Sequence, residues 1–193
     1  MKKHEIRGRL VILRPATDQD KRQIYAWLAL SDATPTMMGP PVYPDEPIPS
    51  WEEFCADYKP YYFDDSAPDL GRCFVISVDG EAVGQVNYND IEEHQGKKRT
   101  ELDIWLRSEK DCEQGFGTDA LLTLCQHLFL HLGVQEFVVQ PSARNPRAIR
   151  AYGKAGFVKL PLSIEEAQQQ WGASDYFDSV YMVKTISPDE GRG

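Results

Sequence analysis

Three stretches of this chain hold residue types at spacings that could do chemistry. The first is Cys112-Glu113-Gln114-Gly115-Phe116-Gly117-Thr118, which follows a strand-like segment and opens a long one with an apolar stripe. The first turn of a helix leaves its amide N–H groups unpaired and carries partial positive charge. Glycines at such a junction let a phosphate come close to the main chain. A diphosphate suits this cradle, although a Gly-x-Gly by itself reads more simply as a tight turn. The stretch is neither a Walker loop, which needs Gly-Lys-Ser/Thr, nor a full Rossmann fingerprint.

The second stretch runs from Asn145 to Phe157, Asn-Pro-Arg-Ala-Ile-Arg-Ala-Tyr-Gly-Lys-Ala-Gly-Phe. Ala148, Tyr152 and Ala155 share a helical face. Asn145 is either a helix cap or a ligand contact, and Tyr152 either a core aromatic or a proton donor. The third is Thr100-Glu-Leu-Asp-Ile-Trp-Leu106. Its alternation puts Leu102, Ile104 and Leu106 on one side and Glu101, Asp103 and Trp105 on the other. Burying an unpaired carboxylate on a central strand is costly, which marks Asp103 as a candidate for binding or catalysis. The alternative is a surface Asp on an edge strand, or one paired with an Arg.

These residues need elements to position them. Residues 9–15 read as a strand stopped by Pro15, and Thr17 or Asp18 caps a helix through Leu30 with Ile24, Trp27 and Leu28 inward. Six prolines between 34 and 49 exclude regular helix and central strand there. Ser50 caps a short helix over 51–59, with Glu53 completing a capping box. Residues 73–78 and 81–88 form a hairpin around Asp79-Gly80. Charged residues 92–99 make a turn before the strand at 100–106. Residues 116–132 are apolar at helical spacing and stop at Gly133. A strand at 136–140, a helix at 145–155, a short strand at 157–160, a short helix at 163–171 and a strand at 176–184 complete one domain over 1–186. Residues 187–193 form a tail. The class is α/β, with a mixed, mostly antiparallel sheet flanked by helices.

The bulk properties exclude several functions. The chain has 193 residues, 41% hydrophobic and 26% charged, with a formal charge of −9. That balance repels nucleic acid and anionic membrane and draws in cations. The four cysteines, Cys55, Cys73, Cys112 and Cys125, form no C-x-x-C pair and read as reduced thiols of a cytoplasmic protein. No metal is expected. His127 and His131 are four apart on a helix, but no third ligand accompanies them.

Gly-x-Gly-Thr opening a helix, then Asn-x-x-Ala-x-x-x-Tyr-x-x-x-Gly-Phe some thirty residues on, resembles the GCN5-related N-acetyltransferase (GNAT) superfamily. Within it, residues 144–157 and the terminal Val180-Tyr-Met-Val183 look most like aminoglycoside 6′-N-acetyltransferases. The resemblance covers residues 9–185 and is specific over 100–160. It implies a V-shaped, splayed sheet with acetyl-CoA as cosubstrate between the strands at 101–106 and 136–140. Main-chain groups of Trp105 and Leu106 would pair with the pantetheine arm. The N–H groups of Gln114, Gly115, Phe116, Gly117 and Thr118 would hold the pyrophosphate. Asn145 would meet the arm, Ala148 would lie beside it, and Lys154 would reach a phosphate. Asp103 would be the base or orienter for the acceptor amine, and Tyr152 the acid for the sulfur. The superfamily usually has Arg or Gln where Cys112 stands.

The implied acceptor is a small cationic amine, with an aminoglycoside as the named expectation. Glu101, Asp103 and Gln140 would face it. The resembling aminoglycoside enzymes carry an acid at the position of Gln140, so one acceptor-binding charge is missing. Between residues 45 and 69 the chain has eight acids (Asp45, Glu46, Glu52, Glu53, Asp57, Asp64, Asp65, Asp69) and one base, Lys59, among six aromatics. They read as a wall for a polyamine or aminosugar, or as a solvated face. The alternatives are a GNAT enzyme acting on a protein N-terminus, a polyamine or a siderophore precursor, and a non-catalytic CoA-binding sensor. Either a monomer or a homodimer is expected.

Overall fold

The computed structural model describes residues 5–38, 49–171 and 178–187. Prolines 40, 41, 44 and 47, the acids Asp45 and Glu46, and the start of the last expected strand lie outside them. So does most of the expected tail.

Two short strands, β1 (Ile6–Arg7) and β2 (Ile12–Pro15), open the fold. A 3₁₀ turn, Asp18–Asp20, leads into α1 (Lys21–Ala29). Then come α2 (Thr34–Met38), α3 (Trp51–Asp57) and α4 (Tyr61–Asp64). Ser50 caps α3 by accepting from Glu53 N, while Glu53 accepts from Ser50 N, the expected capping box. α2 and α4 were not expected. Pro35 is tolerated in the first turn of α2, where its missing N–H costs nothing.

The hairpin of β3 (Arg72–Val78) and β4 (Glu81–Tyr88) closes on Asp79 and Gly80 at φ 50° and 85°, the left-handed pair of a type I′ turn. A second such turn, Gln95-Gly96 at φ 51° and 77°, joins β5 (Glu92–His94) to β6 (Lys97–Leu106). The expected turn at 92–99 is therefore itself a small hairpin. After it come α5 (Phe116–Leu132), β7 (Val134–Val139), α6 (Pro146–Lys154), β8 (Val158–Lys159), α7 (Ile164–Trp171) and β9 (Met182–Thr185).

The described strands form one sheet in the order β1-β2-β3-β4-β6-β7-β9-β8, with β5 on the start of β6. Every pairing is antiparallel except β6 with β7. β6 divides its length between two neighbours. Residues 98–101 pair with β7, and residues 102–106 pair with β4. Past Glu101 and Val138 the β7-facing edge of β6 has no strand partner, so the sheet splits there.

Each sheet face has its own core. α5 covers one face, with Leu13, Ile76, Leu102 and Phe137 from the sheet meeting Leu121, Leu124 and Leu128. The other face packs Val75, Cys73 and Trp105 under Ile24, Trp27, Phe54 and Phe63. Of the expected aromatic wall, Tyr62 and Phe63 are core residues, joined there by Phe54. The described acids of that stretch (Glu52, Glu53, Asp57, Asp64, Asp65 and Asp69) are exposed.

α5 also carries a histidine pair, with the His127 and His131 rings 4.5 Å apart. Burial, then the neighbouring imidazole, pushes His127 down to about 4. A base with a depressed folded-state value takes its proton more readily when unfolded. Stability is therefore complete above the free value of about 6.5 and declines as pH falls toward 4. His127→Gln should flatten the melting temperature between pH 7 and pH 5. The effect should be on the order of 1 kcal/mol, allowing for solvent screening of a half-exposed ring. An unchanged slope would place the pH dependence elsewhere.

Candidate active site

The split in the sheet opens onto a cavity of about 630 Å³. Its walls come from the end of β6, the loop into α5, the first turns of α5 and one face of α6. The loop holds two left-handed residues, Glu113 at φ 59° and Gly115 at φ 86°. They turn the chain so that α5 starts at the cavity. The first helical bond of α5 is donated by Asp119 N to Gly115 O at 3.0 Å. The N–H groups of Gly115, Phe116, Gly117 and Thr118 therefore have no partner within the helix. Gly117 lines the cavity, and an added Cβ there would only touch Ile104 Cδ1 at 3.6 Å. Space for a ligand thus begins where a side chain would otherwise stand. This supports the fit of a diphosphate.

α6 begins on Asn145, whose Oδ1 accepts from Ala148 N at 3.0 Å. The cap reading of that residue is realised, and Asn145 also borders the cavity. Thr118 Oγ1 donates to Ala151 O at 3.4 Å, tying the start of α5 to α6. Tyr152 is buried, packs edge-on to Phe157 and lines the same space, with Ala148 and Lys154. Of the residues expected to hold coenzyme, the structure brings Trp105, Leu106, Gln114, Gly115, Gly117, Thr118, Asn145, Ala148 and Lys154 to this cavity, with Tyr152 beside them. Phe116 does not line the cavity, and its ring packs against the α5 core.

The role of Trp105 needs correction. Asn89 N donates to Glu101 O at 2.9 Å, and Arg107 N to Val83 O at 2.8 Å. In an antiparallel ladder the bonded residues alternate. The main chains of Glu101, Asp103 and Trp105 are therefore turned to β4, and those of Ile104 and Leu106 to the split. Trp105 instead serves through its ring, which caps the second core and donates Nε1–H to Ile24 O at 3.3 Å.

Asp103 lies two residues past the last β6–β7 rung, opposite Asn87 of β4. Together with Glu101 and Gln140, it does not line the cavity. Asp103 shares the sheet face of Trp105. There a buried amide ladder runs along β4. Cys73 Sγ donates to Gln85 Oε1, Gln85 Nε2 to Asn87 Oδ1, and Asn87 Nδ2 to Asn89 Oδ1, at 3.0, 3.1 and 2.9 Å. Tyr58 and Tyr62 donate to Asn87 and Asn89, each at 3.0 Å. Burial, followed by Tyr61 and the Asp103 carboxylate, pushes the Tyr62 hydroxyl well above its ordinary range. It stays a neutral donor. Gln140 Oε1 is buried and has no hydrogen-bond donor among the described residues.

Among the cavity residues that sequence reasoning missed are the charged Arg9, Glu109, Arg147 and Arg150. Arg147 Nη1 meets Glu109 Oε2 at 2.6 Å, and Arg150 Nη2 meets Glu113 Oε1 at 3.6 Å. The three-residue spacing of Arg147 and Arg150 on one face of α6 was a usable signal. Cys112 borders the cavity, its thiol pushed up by burial against the pull of Arg147.

Known proteins resemble this chain in sequence and in fold. The chain is 27% identical over 155 residues to aminoglycoside N(6′)-acetyltransferase type 1 of Klebsiella pneumoniae, covering 76% of this chain and 73% of that protein. The Serratia marcescens protein of the same name matches to the same extent. Among solved structures, aminoglycoside acetyltransferase AAC(6′)-Ib with paromomycin and acetyl-CoA superposes with a TM-score of 0.67 at 22% identity, over 91% of this chain and 93% of that one. Spermidine N-acetyltransferase from Vibrio cholerae, with CoA and spermine, gives 0.65 at 20% identity, over 91% and 95%. The family described as acetyltransferase (GNAT) domain matches residues 10–158. With that match over most of its length, and the split sheet and helix-start cradle of the family, the chain belongs to the GNAT acetyltransferases.

Proposed function

We propose that this enzyme moves an acetyl group from acetyl-CoA to a primary amine of a small cationic acceptor, with an aminoglycoside 6′-amine as the leading candidate. The observation that carries the reading is the split at Glu101 and Val138 meeting the bare amides at the start of α5 in one cavity. Similarity to the Klebsiella enzyme supports the acceptor class.

Acetyl-CoA, when bound, supplies an activated acetyl thioester. The residues of the chain divide the remaining work. The amides of 115–118 hold the diphosphate, and the split-facing main chain of Ile104 and Leu106 holds the arm. The same N–H groups are the donors available to a developing oxyanion. Asp103 holds the acceptor's ammonium and receives its proton, directly or through water. The nitrogen lone pair then forms the new bond to carbon as the carbon–sulfur bond breaks. Tyr152 donates its hydroxyl proton to the departing sulfur, and the second proton shed by the newly acylated nitrogen passes through water to restore the phenol.

Gln140 favours a second acceptor class. A neutral amide replaces a charge there, and its free carbonyl oxygen accepts one N–H without adding attraction for a polycation. An acceptor with a single amine, such as a peptide N-terminus, fits that condition. An acceptor panel with a free-thiol readout separates the readings, using kanamycin- and tobramycin-like aminosugars, spermidine and short peptides. Turnover is expected with aminosugars or polyamines. Turnover with peptides alone would overturn the small-amine assignment.

A further inference from the structure

The chain lacks the basic or amide side chain its family usually carries at Cys112, and the fold supplies a cation from elsewhere. The turn between β1 and β2 is pressed onto α5. Asp119, buried in the first turn of α5, accepts from Leu10 N at 2.6 Å and Val11 N at 3.0 Å. Gly8 makes the approach possible, since a Cβ there would stand 2.4 Å from Thr123 Oγ1 and 2.6 Å from Asp119 Oδ2. Leu10 Cδ1 reaches to 3.4 Å from where a Cβ of Gly115 would be. Arg9 lies between these anchor points and forms part of the cavity wall beside the cradle.

Four cationic residues line that wall, and they are not equivalent. Arg147 is held by Glu109 at 2.6 Å and approached by Glu113 at 3.9 Å, while Arg150 meets Glu113 at 3.6 Å. Arg9 and Lys154 have no carboxylate within ion-pair distance among the described residues. An anion entering the cradle therefore meets Arg9 without first breaking a salt bridge. Its long stem starts from a turn fixed by two main-chain hydrogen bonds, which limits the ordering cost at its base.

We infer that Arg9 is a phosphate ligand of the coenzyme, delivered to the cradle on the β1–β2 turn by the Asp119 anchor. This rests on the reading of the cradle as a coenzyme A site. The shared chemistry is a phosphate group, either the diphosphate or the 3′-phosphate of the nucleotide. A guanidinium binds either with paired N–H donors.

Titration calorimetry with coenzyme A and with 3′-dephospho-coenzyme A tests it on the parent, Arg9→Ala and Arg9→Lys. Arg9→Ala is expected to weaken coenzyme A binding about tenfold and to reduce its salt dependence, with Arg9→Lys recovering part of the loss. An Arg9→Ala defect that persists with the dephospho compound assigns Arg9 to the diphosphate. A defect that disappears assigns it to the 3′-phosphate. Equal affinity and equal salt dependence in parent and Arg9→Ala would overturn the assignment while leaving the cradle intact. Absence of binding by the parent itself would overturn both.

Discussion

Asp103→Asn is expected to lower kcat by roughly two to four orders of magnitude, the usual contribution of a positioned proton acceptor. The substitution keeps the size and hydrogen-bonding oxygen of the side chain and removes its charge. The cavity wall does not include Asp103, so coenzyme A should bind the variant as it binds the parent. Steady-state rates with a saturating cationic acceptor, beside calorimetry with coenzyme A, check both halves. A variant that kept its kcat within about twofold would remove Asp103 from the chemistry. The site then has to find another base, and the described residues of the cavity wall offer only Glu109, Glu113 and Asp119 as carboxylates. Glu109 and Glu113 face arginines, and Asp119 holds the β1–β2 turn. None has the position two residues into the split that Asp103 has.

Gly117→Ala is expected to weaken coenzyme A binding on the order of a hundredfold. That corresponds to about 3 kcal/mol, the worth of one or two hydrogen bonds to a charged phosphate. The variant is informative because the protein itself tolerates it. The new methyl would meet Ile104 Cδ1 at 3.6 Å, an ordinary contact, and alanine favours the helix. The melting temperature should hold or rise while affinity falls. Gly115 would not give so clean a result, since its φ of 86° makes any side chain strained. Undiminished affinity in Gly117→Ala would mean that the phosphates lie away from the start of α5.

Parts of this arrangement were legible in the sequence because local signals suffice for them. α5 shows its apolar stripe and ends on Gly133, which adopts φ 71°. Asn145 caps α6 as its residue type and the following proline suggest. The Asp79-Gly80 turn dictates its hairpin. Other parts depend on distant partners. β5 is three charged or polar residues with no apolar alternation, and it exists because β6 is there to pair with it. The part played by Trp105 needed the ladder register, which decides whether a main chain faces β4 or the split. Arg9 stands 110 residues before Asp119, and only the folded turn reveals that they share a wall. The acids on α3 and α4 read equally as a substrate wall or a solvated face, because composition does not say which face a side chain occupies.

The open edge of β6 can be watched directly by NMR-detected amide hydrogen exchange with and without coenzyme A. If the pantetheine arm fills the split as a substitute strand, the amides of Ile104, Leu106 and the α5 start at 115–118 will exchange more slowly in the complex. The Trp105 amide, already bonded to β4, will change little. Bound coenzyme that leaves Ile104, Leu106 and the helix start unprotected, and slows exchange only on the outer helices, would contradict the placement of the thioester in the split.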